Sequence, residues 1–94
     1  MIELTVDRSA EEVLAECRRR GLVVKMEGVL RKPPGARHWH LGFPRQPGVL
    51  ELTDAFGEVS LKVAANRDGG WATALARELT GSKKAARSRA AKRR

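Results

Sequence analysis

Two hydrophobic periods follow one another along the first part of the chain. Residues 2–6 place three aliphatic side chains on one side of an extended segment, with polar residues between them, which predicts a half-buried strand. From residue 10 to 20 the apolar positions recur at helical spacing. Ser9 and Glu12 precede this stretch with the spacing of a capping box, and Gly21 follows it. We therefore predict a strand and then a helix over residues 10–20.

Apolar and polar residues alternate again between residues 22 and 65, and clusters of proline and glycine interrupt the alternation. The pattern predicts four strands, near residues 24–30, 37–43, 49–53 and 58–65. Their connections are too short for a parallel crossover, so we expect an antiparallel meander. On the first two of these strands the inward positions are Val24, Met26, Leu30, Trp39, Leu41 and Phe43.

A second helical stripe begins at Trp71 and continues to a glycine at position 81. The predicted order is β-α-β-β-β-β-α, an α+β fold in which both helices cover one face of the sheet. Ninety-four residues suffice for one small core. We expect a single domain over residues 1–80 and a disordered Lys/Arg/Ala-rich tail over residues 81–94.

Charge is distributed unevenly between these two parts. Residues 1–80 hold twelve Lys/Arg against eleven Asp/Glu, whereas the last fourteen residues hold seven Lys/Arg and no acid. The seven cations are Lys83, Lys84, Arg87, Arg89, Lys92, Arg93 and Arg94. A closely spaced cationic run gains affinity for a phosphate backbone by releasing counterions, so we predict a nucleic-acid partner. The alternative is that the tail only solubilises the domain.

Four further cations of the body lie on one predicted hairpin and its neighbour, and they form a second candidate phosphate-binding set. They are Arg31, Lys32, Arg37 and Arg45. Single-strand binders also stack bases on exposed rings, but Trp39 has the spacing of a core residue. Phe56, at a predicted turn, is the ring expected to be exposed. A protein partner that binds Phe56 or an edge strand is therefore a further alternative.

His38 and His40 share the outward side of one predicted strand. Side chains two residues apart on a strand lie about 7 Å apart, a spacing at which one imidazole can take a proton while the other gives one across a phosphodiester. Strand alternation also places the side chains of Glu27 and Glu51 on the outward face, so both are candidates to approach the two histidines. A zinc site would have to add Cys17, whose helical position is apolar and inward, so we expect no metal and no cofactor.

Several classes of protein are disfavoured by composition. The single cysteine excludes an intramolecular disulfide, and the amino-terminal residues do not have the pattern of a signal peptide. No apolar run approaches the roughly 18 residues of a membrane span. We expect a cytoplasmic protein that does not bind membranes.

The order of elements from the first helix onward, with Gly35 shortly before His38, resembles the HicA-type toxins. These are messenger-RNA-targeting ribonucleases with a double-stranded-RNA-binding-domain fold. Their motif places a histidine directly after a Gly-Ser/Thr pair, whereas this chain has Ala36 in place of the hydroxyl residue and Arg37 inserted before His38. The resemblance implies an RNA-binding α+β domain, and RNA rather than DNA as the partner. It also gives the catalytic role, if one is present, to His38.

Overall fold

The structure, a computed structural model, describes residues 2–82, with side chains described through residue 80. It contains β1 (Ile2–Val6), α1 (Ala10–Arg19), β2 (Val23–Arg31), β3 (Pro34–Gly42), β4 (Leu50–Ala55), β5 (Glu58–Val63) and α2 (Ala72–Arg77). A 3₁₀ turn, Ala65–Arg67, precedes α2, and a π-helical turn, Glu78–Ser82, follows it. The predicted α+β class is confirmed. The predicted basic tail lies outside the described residues from position 83 onward.

All five strands form one antiparallel sheet, in the order β1-β5-β4-β3-β2. The meander from β2 to β5 is therefore present, and β1 joins it by pairing with β5. The two edges of the sheet are β1 and β2. Both helices pack against the same face, which leaves the other face open.

Helix α1 begins where the sequence predicts it. The backbone N–H of Glu12 donates to the hydroxyl of Ser9, and the carboxylate of Glu12 accepts from the backbone N–H of Ser9, which completes a capping box. At the other end Gly21 adopts a φ of +98°, a conformation that costs glycine little. The apolar side of α1 faces the sheet.

The core lies between the helices and the covered face of the sheet. Trp39 is 3% exposed, which confirms that it is a core residue. Phe43 and Trp71 are partly buried and meet edge to face, with ring centroids 4.9 Å apart. The central aliphatic residues are Val13, Leu41, Leu50, Leu52, Leu61 and Val63.

An irregularity in β2 reverses its alternation after Val24. Val24 lies opposite Leu41, but Met26, and not Lys25, lies opposite His40. A bulge of this kind shifts every later side chain to the other face. The predicted inward positions of Met26 and Leu30 are therefore wrong, because both follow the bulge and share the open face with the histidines. The predicted outward position of Glu27 is also wrong, because it lies opposite Trp39 on the helix side.

Gly48 and Gly69, which lie against each other, allow the β3–β4 loop to touch the segment before α2. Gly69 has a φ of +64°, and a Cβ built on it would overlap the carbonyl group of Pro47. Nearby, the indole N–H of Trp71 donates to the same carbonyl oxygen at 2.8 Å. The close approach fixes the segment that leads into α2.

Replacing Gly69 with alanine is expected to lower the free energy of unfolding by about 3 kcal/mol, because the new methyl group must displace backbone as well as adopt a left-handed conformation. Gly70 is a matched control, since its φ of +84° is also positive but no atom lies within 4 Å of a Cβ built there. Gly70→Ala should cost only about 1 kcal/mol. Urea unfolding of both variants measures the difference, and equal losses would show that the contact with Pro47 is unimportant.

Candidate functional site

Two rows of aligned residues cross the open face of the sheet. The first row runs Met26, His40, Glu51, Lys62, Glu3 from β2 to β1. The second runs Gly28, His38, Thr53, Ser60, Thr5. Together with the tip of the β2–β3 hairpin, most of these residues line a groove of about 800 Å³. The open face therefore carries both histidines of the chain, and His38 lines the polar groove on it.

His38 lies on the central strand β3 and is held from the neighbouring strand. Its Nδ1 forms a 2.8 Å hydrogen bond with Oγ1 of Thr53, which lies directly opposite on β4. Its side chain is only 12% exposed. On the other side its partner on β2 is Gly28, which has no side chain to cover it. His38 is thus oriented through Nδ1 and presents Nε2.

His40 and Glu51 converge on that second nitrogen. Nε2 of His40 lies 3.1 Å from Nε2 of His38, with ring centroids 5.0 Å apart. Oε1 of Glu51 lies 3.6 Å from Nε2 of His38. The prediction that Glu51 approaches the histidines is confirmed, whereas the expected separation of about 7 Å is wrong because the rings lean toward each other.

The pKa of His38 is lowered from its usual value. Burial is the largest cause, and the neighbouring His40 acts in the same direction, as does Lys62 more weakly. Glu51 opposes the shift. Burial and the second imidazole both disfavour the imidazolium, so His38 is neutral at pH 7. One of its ring nitrogens then carries a proton, and the other has a free lone pair.

Formal charges in the groove are mixed. Three carboxylates line it, from Glu3, Glu51 and Glu58, and two ammonium groups, from Lys32 and Lys62. Such a lining does not attract a polyanion, which needs an excess of cationic groups. The groove is better suited to a small ligand or ion than to a phosphate backbone.

Arg37 does not belong to an open cationic surface. Its guanidinium donates to Glu11 at 2.8 Å, approaches Asp54 at 3.5 Å and lies 4.8 Å from the centre of the Trp39 ring. The hydrogen bond to Glu11 is the largest cause of the raised pKa of Arg37. These contacts lie on the helix side of the sheet, so Arg37 links α1 to β3 and β4.

The other predicted cations of the body are separated. Arg31 and Lys32 lie at the tip of the β2–β3 hairpin, whereas Arg45 follows the far end of β3, about 25 Å away along the strand. None of the three has an ion pair within the described part of the chain. The seven cations from Lys83 to Arg94 lie outside the described residues. Of the predicted phosphate-binding residues, the four that the structure describes are therefore not brought together as one patch.

Two other sequence-based candidates have clear positions. Cys17 is fully buried in the core, and burial raises the pKa of its thiol to about 11, so it cannot join His38 and His40. Phe56 is 77% exposed at the β4–β5 turn, as predicted. The edge strands are β1 and β2. Binding of a protein partner at Phe56 or at either edge stays a prediction.

Thr53, Ser60 and Lys62 are site residues that sequence reasoning did not single out. The alternation of β4 and β5 would have placed them outward, because Leu52, Leu61 and Val63 point inward. The alternation within one strand does not predict the register between neighbouring strands. That register puts Thr53 beside His38 and Lys62 beside Glu51.

Comparison with known proteins assigns the chain to no family and no function. No protein-family model, curated protein or solved structure that we compared with the chain matches it. The resemblance to HicA-type toxins stays a prediction. Within residues 2–82, no helix has the length and apolar character needed to cross a bilayer.

Proposed function

We propose that this protein binds nucleic acid by charge, with residues 83–94 as the contacting segment and RNA as the favoured polymer. The observation that carries the proposal is the excess of seven Lys/Arg over no Asp/Glu in that segment. Cations spaced this closely displace the counterions condensed on a phosphate backbone. Such contacts supply affinity and carry little sequence preference.

The charges of the folded body, residues 1–80, support the assignment of nucleic-acid contact to residues 83–94. Arg19 and Arg20 pair with Glu16, and the hydrogen bonds from Arg19 and then Arg20 lower the pKa of that carboxyl to about 2. Arg37 pairs with Glu11. Because residues 1–80 also balance twelve Lys/Arg with eleven Asp/Glu, attraction for a polyanion has to come mainly from the terminal segment. The resemblance to a double-stranded-RNA-binding-domain fold is the reason to favour RNA over DNA.

The proposal predicts a steep salt dependence. If all seven terminal cations meet phosphates, log Kobs should fall against log salt concentration with a slope of about −5 on single strands and about −6 on duplex DNA. Fluorescence anisotropy of the full chain with labelled single-stranded RNA, duplex RNA and duplex DNA measures the slopes and the preferred polymer. A slope near zero, or no binding at low salt, would contradict the proposal.

A ribonuclease that uses His38 and His40 is the second candidate. The observation that favours it is that both imidazoles lie close to the carboxylate of Glu51 on the open face. With their Nε2 atoms only 3.1 Å apart, the pair has no room for a phosphodiester between the rings. A single general base, His38, suits this geometry better than two imidazoles on opposite sides of the reacting bond. Incubation of RNA with the wild type and with His38→Ala tests it, since absent or equal cleavage removes the hypothesis.

A further inference from the structure

Two imidazoles and a carboxylate on the open face present their ligand atoms to one another. One nitrogen each from His38 and His40 and an oxygen of Glu51 lie within 4.8 Å of one another. In a tetrahedral zinc site with bonds of 2.0–2.1 Å, ligand atoms lie about 3.4 Å apart. Two of the three separations bracket that value, 3.1 Å between the two Nε2 atoms and 3.6 Å between Nε2 of His38 and Oε1 of Glu51, and the third, between His40 and Glu51, is no more than 4.8 Å.

The hydrogen bond between His38 and Thr53 is of the kind that orients a metal-binding histidine. Ligand imidazoles usually donate their other ring N–H to an oxygen, which fixes the ring and leaves the first nitrogen for the metal. When Nδ1 of His38 carries the proton, it donates to Oγ1 of Thr53 and leaves a lone pair on Nε2. That lone pair is directed toward His40.

The two facing nitrogens, 3.1 Å apart, can share one hydrogen bond or can both bind a cation. Two neutral imidazoles with Nε2 facing Nε2 form a hydrogen bond only when one of them keeps its proton there. A metal ion accepts both lone pairs and also the charge of Glu51. The carboxylate is itself held in the sheet, with a side chain only 14% exposed.

The chemistry of the three ligands selects the metal. Imidazole nitrogens suit zinc and its late first-row neighbours, whereas magnesium and calcium require mostly oxygen ligands. Three protein ligands leave a fourth tetrahedral position. Such a position takes a water molecule or another ligand.

We propose that His38, His40 and Glu51 form a three-ligand Zn²⁺ site on the open face of the sheet, with a fourth position left for a water molecule or another ligand. The site does not depend on nucleic-acid binding. Residues 83–94 contain no histidine, cysteine or acid, so they cannot supply a competing set.

Isothermal titration of the full chain with Zn²⁺ tests the site. We expect one ion per chain, and Mg²⁺ in large excess should not displace it. The variant Glu51→Gln should weaken binding at least about tenfold, since loss of even an outer-shell partner costs about 10- to 100-fold. His40→Gln, which removes a ligand nitrogen from a less buried position, is a second variant with the same expectation. Circular dichroism verifies that both variants are folded.

Glu58→Gln is the matched control, because Glu58 lines the same groove but does not belong to the cluster. It should retain the wild-type affinity. Cys17→Ala should also retain it, since that thiol is in the core. The site is overturned if the wild type binds no Zn²⁺, or if Glu51→Gln and Glu58→Gln bind equally well. The absorption spectrum of the Co²⁺ form adds a readout of coordination, and an octahedral spectrum would contradict a tetrahedral site.

Discussion

Replacing all seven lysines and arginines of residues 83–94 with glutamine is expected to lower the affinity for RNA at least about 10³-fold at about 50 mM salt. The physical reason is that each cation that meets a phosphate releases condensed counterions, and the variant retains none in that segment. The salt slope should fall from about −5 toward zero. Anisotropy titrations at several salt concentrations measure both quantities on a chain of unchanged length.

The matched control replaces Arg31, Lys32 and Arg45 with glutamine. These three cations are without ion pairs in the described part of the chain, but they lie at opposite ends of β3 and cannot act as one patch. Even if each met a phosphate, the slope would change by only about 2. If this control loses more affinity than the tail variant, the folded body is the binding surface. The proposal that residues 83–94 contact the nucleic acid would then be wrong.

Trp39→Ala is expected to lower the free energy of unfolding by about 3–5 kcal/mol, a large fraction of the total stability of a small domain. Trp39 is 3% exposed on the covered face of β3, in the core cluster beneath the helices. Its ring also carries the guanidinium of Arg37 at 4.8 Å, which in turn pairs with Glu11 of α1. Removing the indole leaves a cavity and takes away the surface on which that ion pair rests. Urea unfolding measures the loss.

Phe56→Ala is the control for this second prediction. Phe56 is 77% exposed, and truncating an exposed side chain usually changes stability by less than about 0.5 kcal/mol. A folded and stable Trp39→Ala variant that had lost RNA affinity would mean that the indole stacks on bases instead of filling the core. Trp39→Phe should recover part of the lost stability, because the smaller ring still fills much of the site.

Local patterns were sufficient to predict the elements and their order. The start of α1 follows from Ser9 and Glu12, which satisfy the first-turn N–H groups without any help from the rest of the fold. The antiparallel meander follows from connections that are too short to cross over. The assignment of Trp39 to the core follows from strand alternation, which holds on β3 because its pairing with β4 is regular.

The same reasoning failed on β2, where the pairing is not regular. Nothing in the identity of Lys25 marks it as a bulge, because a bulge is a relation between two strands and not a local preference. Every assignment beyond it was therefore inverted, for Met26, Glu27 and Leu30. The same inversion places Gly28 opposite His38 on the open face.

The sequence by itself determined the α+β class, the order of the elements, the concentration of cations after residue 82 and the placement of both histidines on the open face. These properties depend on local period, capping and composition. Only the tertiary structure decided that Glu51 joins the histidines, that Thr53 orients His38 and that Arg37 is taken up by Glu11 and Asp54. Register and side-chain direction between strands set these contacts, and neither is contained in the pattern of a single strand.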